Sequence, residues 1–202
     1  MLSLLLAFAC TNEIDQPPVA EVNPAPADAP APPPTADASL AGAWTLDPGT
    51  STIGFVGAKI TKTHDGSFKG FTGRANVVEG NLVSVEAEID TGSVEADSSK
   101  LTDHLRGEDF FDVAQFPKAT FRSSAIEVNE AGHQITGVLD FHGHQNVISF
   151  PAQVSVGEQA VTLKSEFSID RQKWGVAYAG KPDDLIQDEV KISLDLSFPK
   201  GG

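Results

Sequence analysis

The sequence predicts an all-β domain, an antiparallel barrel or sandwich, that begins near residue 43. The main observation is a period of two in the order of apolar and polar residues, which is most regular over 83–90 and 190–198. Because successive side chains of a strand point to opposite faces, each such segment forms a strand with one buried face. Turn residues separate these segments, and no helical segments alternate with them, which excludes a parallel βαβ sheet.

Residues 1–9 form an apolar run, MLSLLLAFA, and the sole cysteine, Cys10, follows it. The run is too short to span a bilayer, which takes about 20 residues. It resembles the signal of a bacterial lipoprotein, in which the cysteine is lipidated and becomes the mature N-terminus. We therefore expect 1–9 to be a signal peptide and Cys10 to be the lipid attachment site. An ordinary signal peptide with an incidental cysteine is the alternative.

The segment that follows is rich in proline and acid. Residues 11–42 contain eight prolines, eight alanines and five acidic residues, and they contain no basic residue. Such a composition buries too little apolar area to offset the entropy of ordering, and its prolines favour extended conformations. We expect residues 10–42 to be a disordered, semi-stiff tether that holds the domain tens of ångströms from its anchor.

The β domain is predicted to span residues 43–200. Weaker period-two alternation adds strands to the two regular ones, over 51–59, 119–126, 135–142, 147–156 and 161–169. Short turn sequences lie between most of them, so seven or eight strands with short connections are expected. This arrangement is typical of antiparallel barrels and sandwiches.

One stretch, around 98–112, departs from the strand pattern. Ser98 is a suitable N-cap, and Leu101 and Leu105 are four residues apart, which favours a short helix. A turn with two adjacent phenylalanines, Phe110 and Phe111, follows it. Because the helix has few apolar residues, we expect a helix and flap that cover one end of a closed sheet.

Composition excludes several function classes. The 14 Lys+Arg and 28 Asp+Glu residues give a formal net charge of −14, which argues against sequence-independent nucleic-acid binding. A single cysteine excludes an intrachain disulfide and a cysteine-rich metal centre. The chain has 12 Phe but one Tyr and two Trp. Phenylalanine brings apolar area without a polar tip, so these side chains require a dry interior or an apolar ligand.

Several motifs closely resemble those of the YceI-like polyisoprenoid-binding family. The central signature is matched by LTDHLRGEDFFDV at 101–113 and FPKATFRS at 116–123. Later motifs of the family are matched, in the same order, at 137–143, 171–176 and 186–192. The resemblance implies an eight-stranded, lipocalin-like antiparallel barrel whose lumen holds a long isoprenoid chain or a quinone tail. It also implies a binding protein without catalytic activity.

The apolar phase of the strands, together with the resemblance, predicts which residues line the lumen and its lid. A buried apolar surface is worth about 25 cal/mol per Å², so an isoprenoid can bind tightly without any hydrogen bond. A filled hydrophobic core is the alternative that the sequence leaves open. The predicted ligand-binding residues are Phe55, Phe68, Phe71, Val85, Phe110, Phe111, Phe116, Phe121, Leu139, Phe141, Phe150, Trp174, Ile192 and Leu194.

Polar candidates are fewer. His104, Arg106 and Asp109 are predicted to form an ion-paired rim around a polar head group, with capping and stapling of the helix as the alternative. His142 and His144 have the spacing of two residues on one strand face, but Gly143 indicates a turn between them. Since no third ligand is placed nearby by the sequence, no metal site is predicted.

These observations predict an envelope-tethered protein that sequesters or carries an isoprenoid lipid or quinone tail. No serine elbow, phosphate loop, dinucleotide fingerprint or HExxH motif is present, and no cofactor other than the bound lipid is expected. Thr11 after the cysteine resembles lipoproteins of the outer membrane that face the periplasm. A ligand-free interaction module of the envelope is one alternative, and its protein partner is left open. A barrel isomerase or cyclase with His104 or a lumenal carboxylate as base is the other.

Overall fold

The computed structural model describes residues 17–25 and 43–201, and most of them lie in strands. One helix, α1 (Ser99–Arg106), and two 3-10 helices, Thr91–Ser93 and Arg171–Trp174, accompany them. The strands are β1 (Glu21–Pro24), β2 (Ala43–Thr45), β3 (Thr52–Ala58), β4 (Thr63–Phe68), β5 (Phe71–Val78), β6 (Asn81–Asp90), β7 (Val94–Ala96), β8 (Lys118–Asn129), β9 (Gly132–Phe141), β10 (His144–Val156), β11 (Ala160–Asp170), β12 (Gly180–Lys181), β13 (Asp184–Leu185) and β14 (Glu189–Pro199).

Eight long segments of chain form the barrel. There are more than eight strands because three of these segments are interrupted at corners. β2 continues into β3, β4 into β5, and β6 into β7. Each segment pairs antiparallel with the next, and β14 pairs with β3, where Leu194 lies opposite Ile53. The pairings therefore form a closed ring. The predicted eight-stranded, lipocalin-like antiparallel barrel is confirmed, and the larger number of strands reflects the corners, the small β12–β13 hairpin and β1.

The two ends of the barrel differ. One end has the tight turns 79–80, 130–131 and 157–159, and side chains such as Ile135, Val161 and Phe198 pack there with almost no exposure. This tight-turn end is a solid plug. The opposite end carries α1 and the long loops 107–117 and 175–188, which together we call the cap.

Helix α1 begins and ends as its sequence predicts. The Ser98 side chain accepts a hydrogen bond from the Leu101 backbone N–H at 3.3 Å, which satisfies one of the free donors of the first turn. Leu105 is buried beneath the helix, and Gly107 follows its last residue. The predicted helix-and-flap insertion around 98–112 is confirmed.

The tether prediction is wrong for the part of residues 10–42 that the structure describes, 17–25. Here β1 pairs antiparallel with β10, with Val22 opposite Ile148, and the Ala20 side chain is 4% exposed. An extended, proline-rich segment forms a strand when a neighbouring sheet edge offers unpaired backbone groups. Residues 1–9, Cys10 and the rest of the predicted tether lie outside the described residues.

Candidate functional site

An apolar cavity of about 160 Å³ lies inside the barrel, between the plug and the cap. An engineered apolar cavity of similar size, about 150 Å³, stays dry and binds benzene. The barrel is therefore hollow between its two ends and not filled. Its lining consists of Ile53, Gly54, Phe55, Phe68, Val85, Ala87, Ile89, Phe111, Ala119, Phe121, Leu139, Phe141, Ile148, Phe150, Leu163, Phe167, Ile169, Ile192, Leu194 and Leu196.

The alternation of the strands explains why the lining is apolar. On β6, Val85, Ala87 and Ile89 face the cavity, while the residues between them face outward. Outward-facing Glu88 accepts a hydrogen bond from the Lys118 ammonium at 2.6 Å on the neighbouring strand. Since successive side chains alternate, one strand supplies both a dry wall and a charged exterior.

Two glycines allow bulky rings to lie flat against the wall. A Cβ atom at Gly66 would lie 2.2 Å from Cζ of Phe55, and one at Gly137 would lie 2.5 Å from Cζ of Phe121. Both distances are far below van der Waals contact. The rings occupy the space that side chains at these positions would take, so they do not fill the centre of the barrel.

Phe111 closes the cavity on the side of the cap. Its ring centroid lies 5.7 Å from that of Phe68, 6.3 Å from that of Phe55 and 5.5 Å from that of Phe141. The adjacent Phe110 is buried on the other side of the loop, where its ring contacts Tyr178. Because adjacent residues on a turn point about 100° apart, the two rings have different surroundings.

Most of the predicted lumen residues line the cavity, and four do not. Phe71 is buried in the packed core of the barrel. Trp174 is also fully buried there, and its indole N–H donates to the Leu139 carbonyl at 3.1 Å. Phe116 packs against the His142 ring, and Phe110 belongs to the cap. Those that do line it are Phe55, Phe68, Val85, Phe111, Phe121, Leu139, Phe141, Phe150, Ile192 and Leu194.

Sequence reasoning did not select the rest of the lining. Phe167 and Ile169 on β11, and Leu196 on β14, are each two residues from another apolar residue of the same strand. The period-two signal that marks Leu194 therefore also marks Leu196. Ala87 and Ala119 also fall in the alternating segments 83–90 and 119–126, and their small side chains leave room in the lumen.

The predicted polar rim does not face the cavity. Arg106 donates to the backbone carbonyls of Gly92 and Val94, both at 3.0 Å, so it staples α1 to the start of β7. His104 Nε2 lies 2.9 Å from the Asp109 carboxylate, and both side chains are roughly half exposed on the outer side of the cap. The rim prediction is wrong for Arg106, and the stapling alternative describes it.

Loop 175–188 is fastened over the barrel by a buried cation. Arg171 is 5% exposed, and its guanidinium donates to the Val176 carbonyl, to the Gln187 carbonyl at 3.0 Å and to the Asp188 carboxylate at 3.3 Å. At the edge of the same loop, a hydrogen bond from the Thr61 hydroxyl lowers the pKa of Asp184 below its usual value. The cap is thus tied to the barrel at several points.

The two histidines that have the spacing of one strand face lie at the turn between β9 and β10. His142 and Gly143 have positive φ angles of 51° and 74°, so the chain turns between His142 and His144. His142 Nδ1 is within hydrogen-bond distance of the Trp174 carbonyl, at 3.0 Å. Across residues 17–25 and 43–201, no group of three or more His, Cys, Asp or Glu side chains is arranged to hold a metal ion.

The outer face of the sheet has a wider depression of about 560 Å³. Arg74 and Glu86 lie opposite each other on β5 and β6 at its floor, and Arg122 on β8 lies opposite Glu86. Its charged lining is unsuited to an apolar chain. In the part of the chain that the structure describes, no helix has the length and apolar character needed to cross a bilayer.

The comparison with protein families is specific. The model of the YceI-like domain matches residues 44–198, which is the barrel without β1. A UPF0312 protein of Yersinia pestis (strain Pestoides F) is 32% identical over 92 residues, which make up 45% of this chain and 48% of that protein. The chain thus spans about half the length of the curated relatives that it matches.

Solved structures share the fold. BcnA of Burkholderia cenocepacia is 25% identical with a TM-score of 0.68, and the match covers 75% of this chain and 98% of that one. A polyisoprenoid binding domain from Saccharophagus degradans, implicated in plant cell wall breakdown, is 17% identical with a TM-score of 0.63. That match covers 78% of this chain and 98% of the domain, and at this identity it shows the fold alone.

Proposed function

Because the chain belongs to the YceI-like domain family, we propose that its barrel binds the apolar tail of an isoprenoid lipid or a quinone. The observation that carries the proposal is the cavity inside the barrel, whose lining has no polar side chain. A related fold is described as a polyisoprenoid binding domain, which supports the same ligand class. The function is one of binding, and it requires no cofactor.

The lining determines how the ligand is oriented. Each Å² of tail that leaves water contributes about 25 cal/mol to binding. A polar head group inside the lumen would lose its hydrogen bonds to water and find no partner there, which costs several kcal/mol. The tail therefore lies in the barrel, and the head group stays in solvent.

A long tail needs more room than the cavity offers in this conformation. Sites for drug-sized ligands typically have volumes of about 300–1,000 Å³, whereas the cavity measures about 160 Å³. Phe111 blocks it on the side of the cap through contacts with other rings. Rotation of this ring lengthens the cavity toward the cap, so Phe111 acts as an adjustable end wall.

The place of action follows from the N-terminal sequence. We infer that Cys10 is lipidated, that the protein is anchored in the outer membrane, and that the barrel faces the periplasm. The support is the position of the only cysteine directly after an apolar run. A lipid-anchored barrel has access to membrane lipids, which are the source of isoprenoid tails.

The test is to purify the full chain from cells, extract it with organic solvent and identify the extract by mass spectrometry. We expect one prenyl lipid or quinone per protein. Ala87→Phe, which fills the lumen, should abolish the bound lipid, because the added ring takes the space of the tail. Ala125→Phe on an exposed part of β8 is the matched control and should retain it. An empty wild-type protein, or equal lipid in both variants, would contradict the proposal.

A further inference from the structure

The wall of the barrel is split between β10 and β11. These strands pair only over Gln153–Val156 and Val161–Lys164. Beyond Lys164, β11 stays paired with β14 on its other side but no longer pairs with β10. The split begins at Pro151, whose carbonyl accepts a hydrogen bond from the Ser165 hydroxyl at 2.6 Å. A residue in an antiparallel strand directs its N–H and C=O to the same side. Because proline has no N–H, the ladder to β11 stops there.

The N-terminal segment fills this split. β1 pairs with Asn146–Ser149 of β10 on one side. On the other side the Ala20 N–H donates to the Ser168 carbonyl at 2.8 Å, and the Ser168 N–H donates to the Pro18 carbonyl at 3.1 Å. Residues 17–25 therefore complete the wall where β10 and β11 separate.

The split leads directly to the lumen. Ile148 and Phe150 on one of its edges, and Phe167 on the other, line the cavity. Ala20 is 4% exposed and belongs to the same buried cluster, whereas its neighbour Val19 is 57% exposed and points outward. The inner face of β1 is thus part of the enclosure around the ligand site.

β1 is attached to the barrel through its backbone and through the buried Ala20, and not through polar side chains. Within the described residues, no side chain of 17–25 takes part in a hydrogen bond or an ion pair. The cap, in contrast, is fastened by Arg171 and by the ring contacts of Phe111. The segment also lies outside the matched family domain, 44–198.

We propose that the seam between β10 and β11 is the side entrance for the apolar tail, and that residues 17–25 are its door. Withdrawal of this segment exposes an elongated slot between two lumen-lining strands. An elongated ligand enters such a slot sideways, without disassembly of the cap. This inference rests on the proposed function, in which the lumen holds the tail.

The first test compares two substitutions in the same strand. Ala20→Glu puts a carboxylate into the apolar wall and so favours the withdrawn state, whereas Val19→Glu puts it into solvent. The probe is all-trans-retinol, a fluorescent isoprenoid, and its uptake by the full chain is followed by stopped flow. We expect Ala20→Glu to speed uptake and release by about tenfold or more, and Val19→Glu to match the wild type.

The second test locks the door. Glu21 and Ser149 are directly opposed residues of an antiparallel pair, so their Cα atoms lie within the range that a disulfide spans. In a Cys10→Ser background, Glu21→Cys with Ser149→Cys should slow retinol uptake by about tenfold or more when oxidised, and a reductant should restore it. The reduced protein is its own control.

Hydrogen exchange distinguishes an error in the proposed entrance from an error in the proposed function. In Ala20→Glu, the amides of Val147 and Ser149, which lie on the same side of β10 as Pro151 and so face β1, should exchange faster than in the wild type, while those of Gln153 and Ser155, which face β11, stay protected. If no variant binds retinol but this exchange pattern appears, the proposed ligand class is wrong, while the proposal that residues 17–25 open the seam is supported. If retinol binds at equal rates in the locked, unlocked and Ala20→Glu proteins, entry is through the cap and the proposal is overturned.

Discussion

At the scale of single residues, Phe110 and Phe111 show how one turn serves two surfaces. Consecutive side chains on a turn point about 100° apart, so only one of them can face the barrel. Phe111 meets the rings of the lumen, and Phe110 meets Tyr178 on the cap. The sequence predicts this division, although it does not predict which ring has which place.

Truncation of each ring should therefore have a different effect. Phe110→Ala removes a buried ring outside the lumen and should lower the free energy of unfolding by about 3–5 kcal/mol, with little change in the retinol dissociation rate. Phe111→Ala opens the end of the cavity and should change the dissociation rate more than it changes stability. Denaturant unfolding and stopped-flow release measure the two quantities. Equal effects of both variants on release would contradict the end-wall role of Phe111.

Errors at the residue scale arise where the strand phase is interrupted. Val85, Ile192 and Leu194 lie in uninterrupted alternation, and their place in the lining follows from it. Phe71 comes directly after the corner between β4 and β5, and Phe116 lies in a loop. Phe71 lies opposite Ile89 and so is on the inner face, but it packs there in the core beside the cavity. A loop has no strand phase, so alternation alone cannot assign the face of Phe116.

At the scale of elements, the cap is held to the barrel by a buried hydrophobic cluster and by one buried arginine. Arg171 donates to the carbonyl groups of Val176, Ile186 and Gln187 in loop 175–188. A buried guanidinium of this kind is suited to the task because its donors form a rigid planar fork.

Replacement of Arg171 should loosen the whole loop. Arg171→Met leaves the carbonyls of Val176 and Gln187 without their donor and should cost about 3 kcal/mol of unfolding free energy. Arg171→Lys should not restore the loss, since an ammonium cannot reproduce the fork. Melting temperatures of both variants, with exposed Lys173→Met as the control, measure the effect. A melting temperature for Arg171→Met equal to that of the control would show that the loop is held by other contacts.

Local signals predict the elements that depend on nearby residues. The helix after Ser98 and the strands of the barrel are marked by capping chemistry and by alternation. β1 is not marked in this way, because its existence depends on an unpaired edge that Pro151 creates far away in the sequence. The composition of residues 17–25 indicates which conformation the isolated segment prefers. It contains no information about an unpaired strand edge elsewhere in the chain.

At the scale of the whole molecule, the net charge and the proposed lipid anchor at Cys10 act in opposite directions on membrane association. A formal net charge of −14 repels anionic lipid head groups. Membrane association should therefore depend on the lipid at Cys10. We expect the wild-type protein to fractionate with membranes in high salt and Cys10→Ser to be released into the soluble fraction. Unchanged membrane association of Cys10→Ser would show that the anchor lies elsewhere.

The docking of β1 also determines how much chain lies between Cys10 and the barrel. With residues 17–25 seated in the wall, six residues of chain, 11–16, lie between the proposed anchor at Cys10 and the barrel, so the two can be at most about 20 Å apart. With the segment withdrawn, 11–42 lie between them, and this upper limit rises to about 100 Å. With the segment seated, the barrel would then stay close to the membrane that anchors it and store the lipid there. With the segment withdrawn, the barrel could reach a second membrane and transfer the lipid to it.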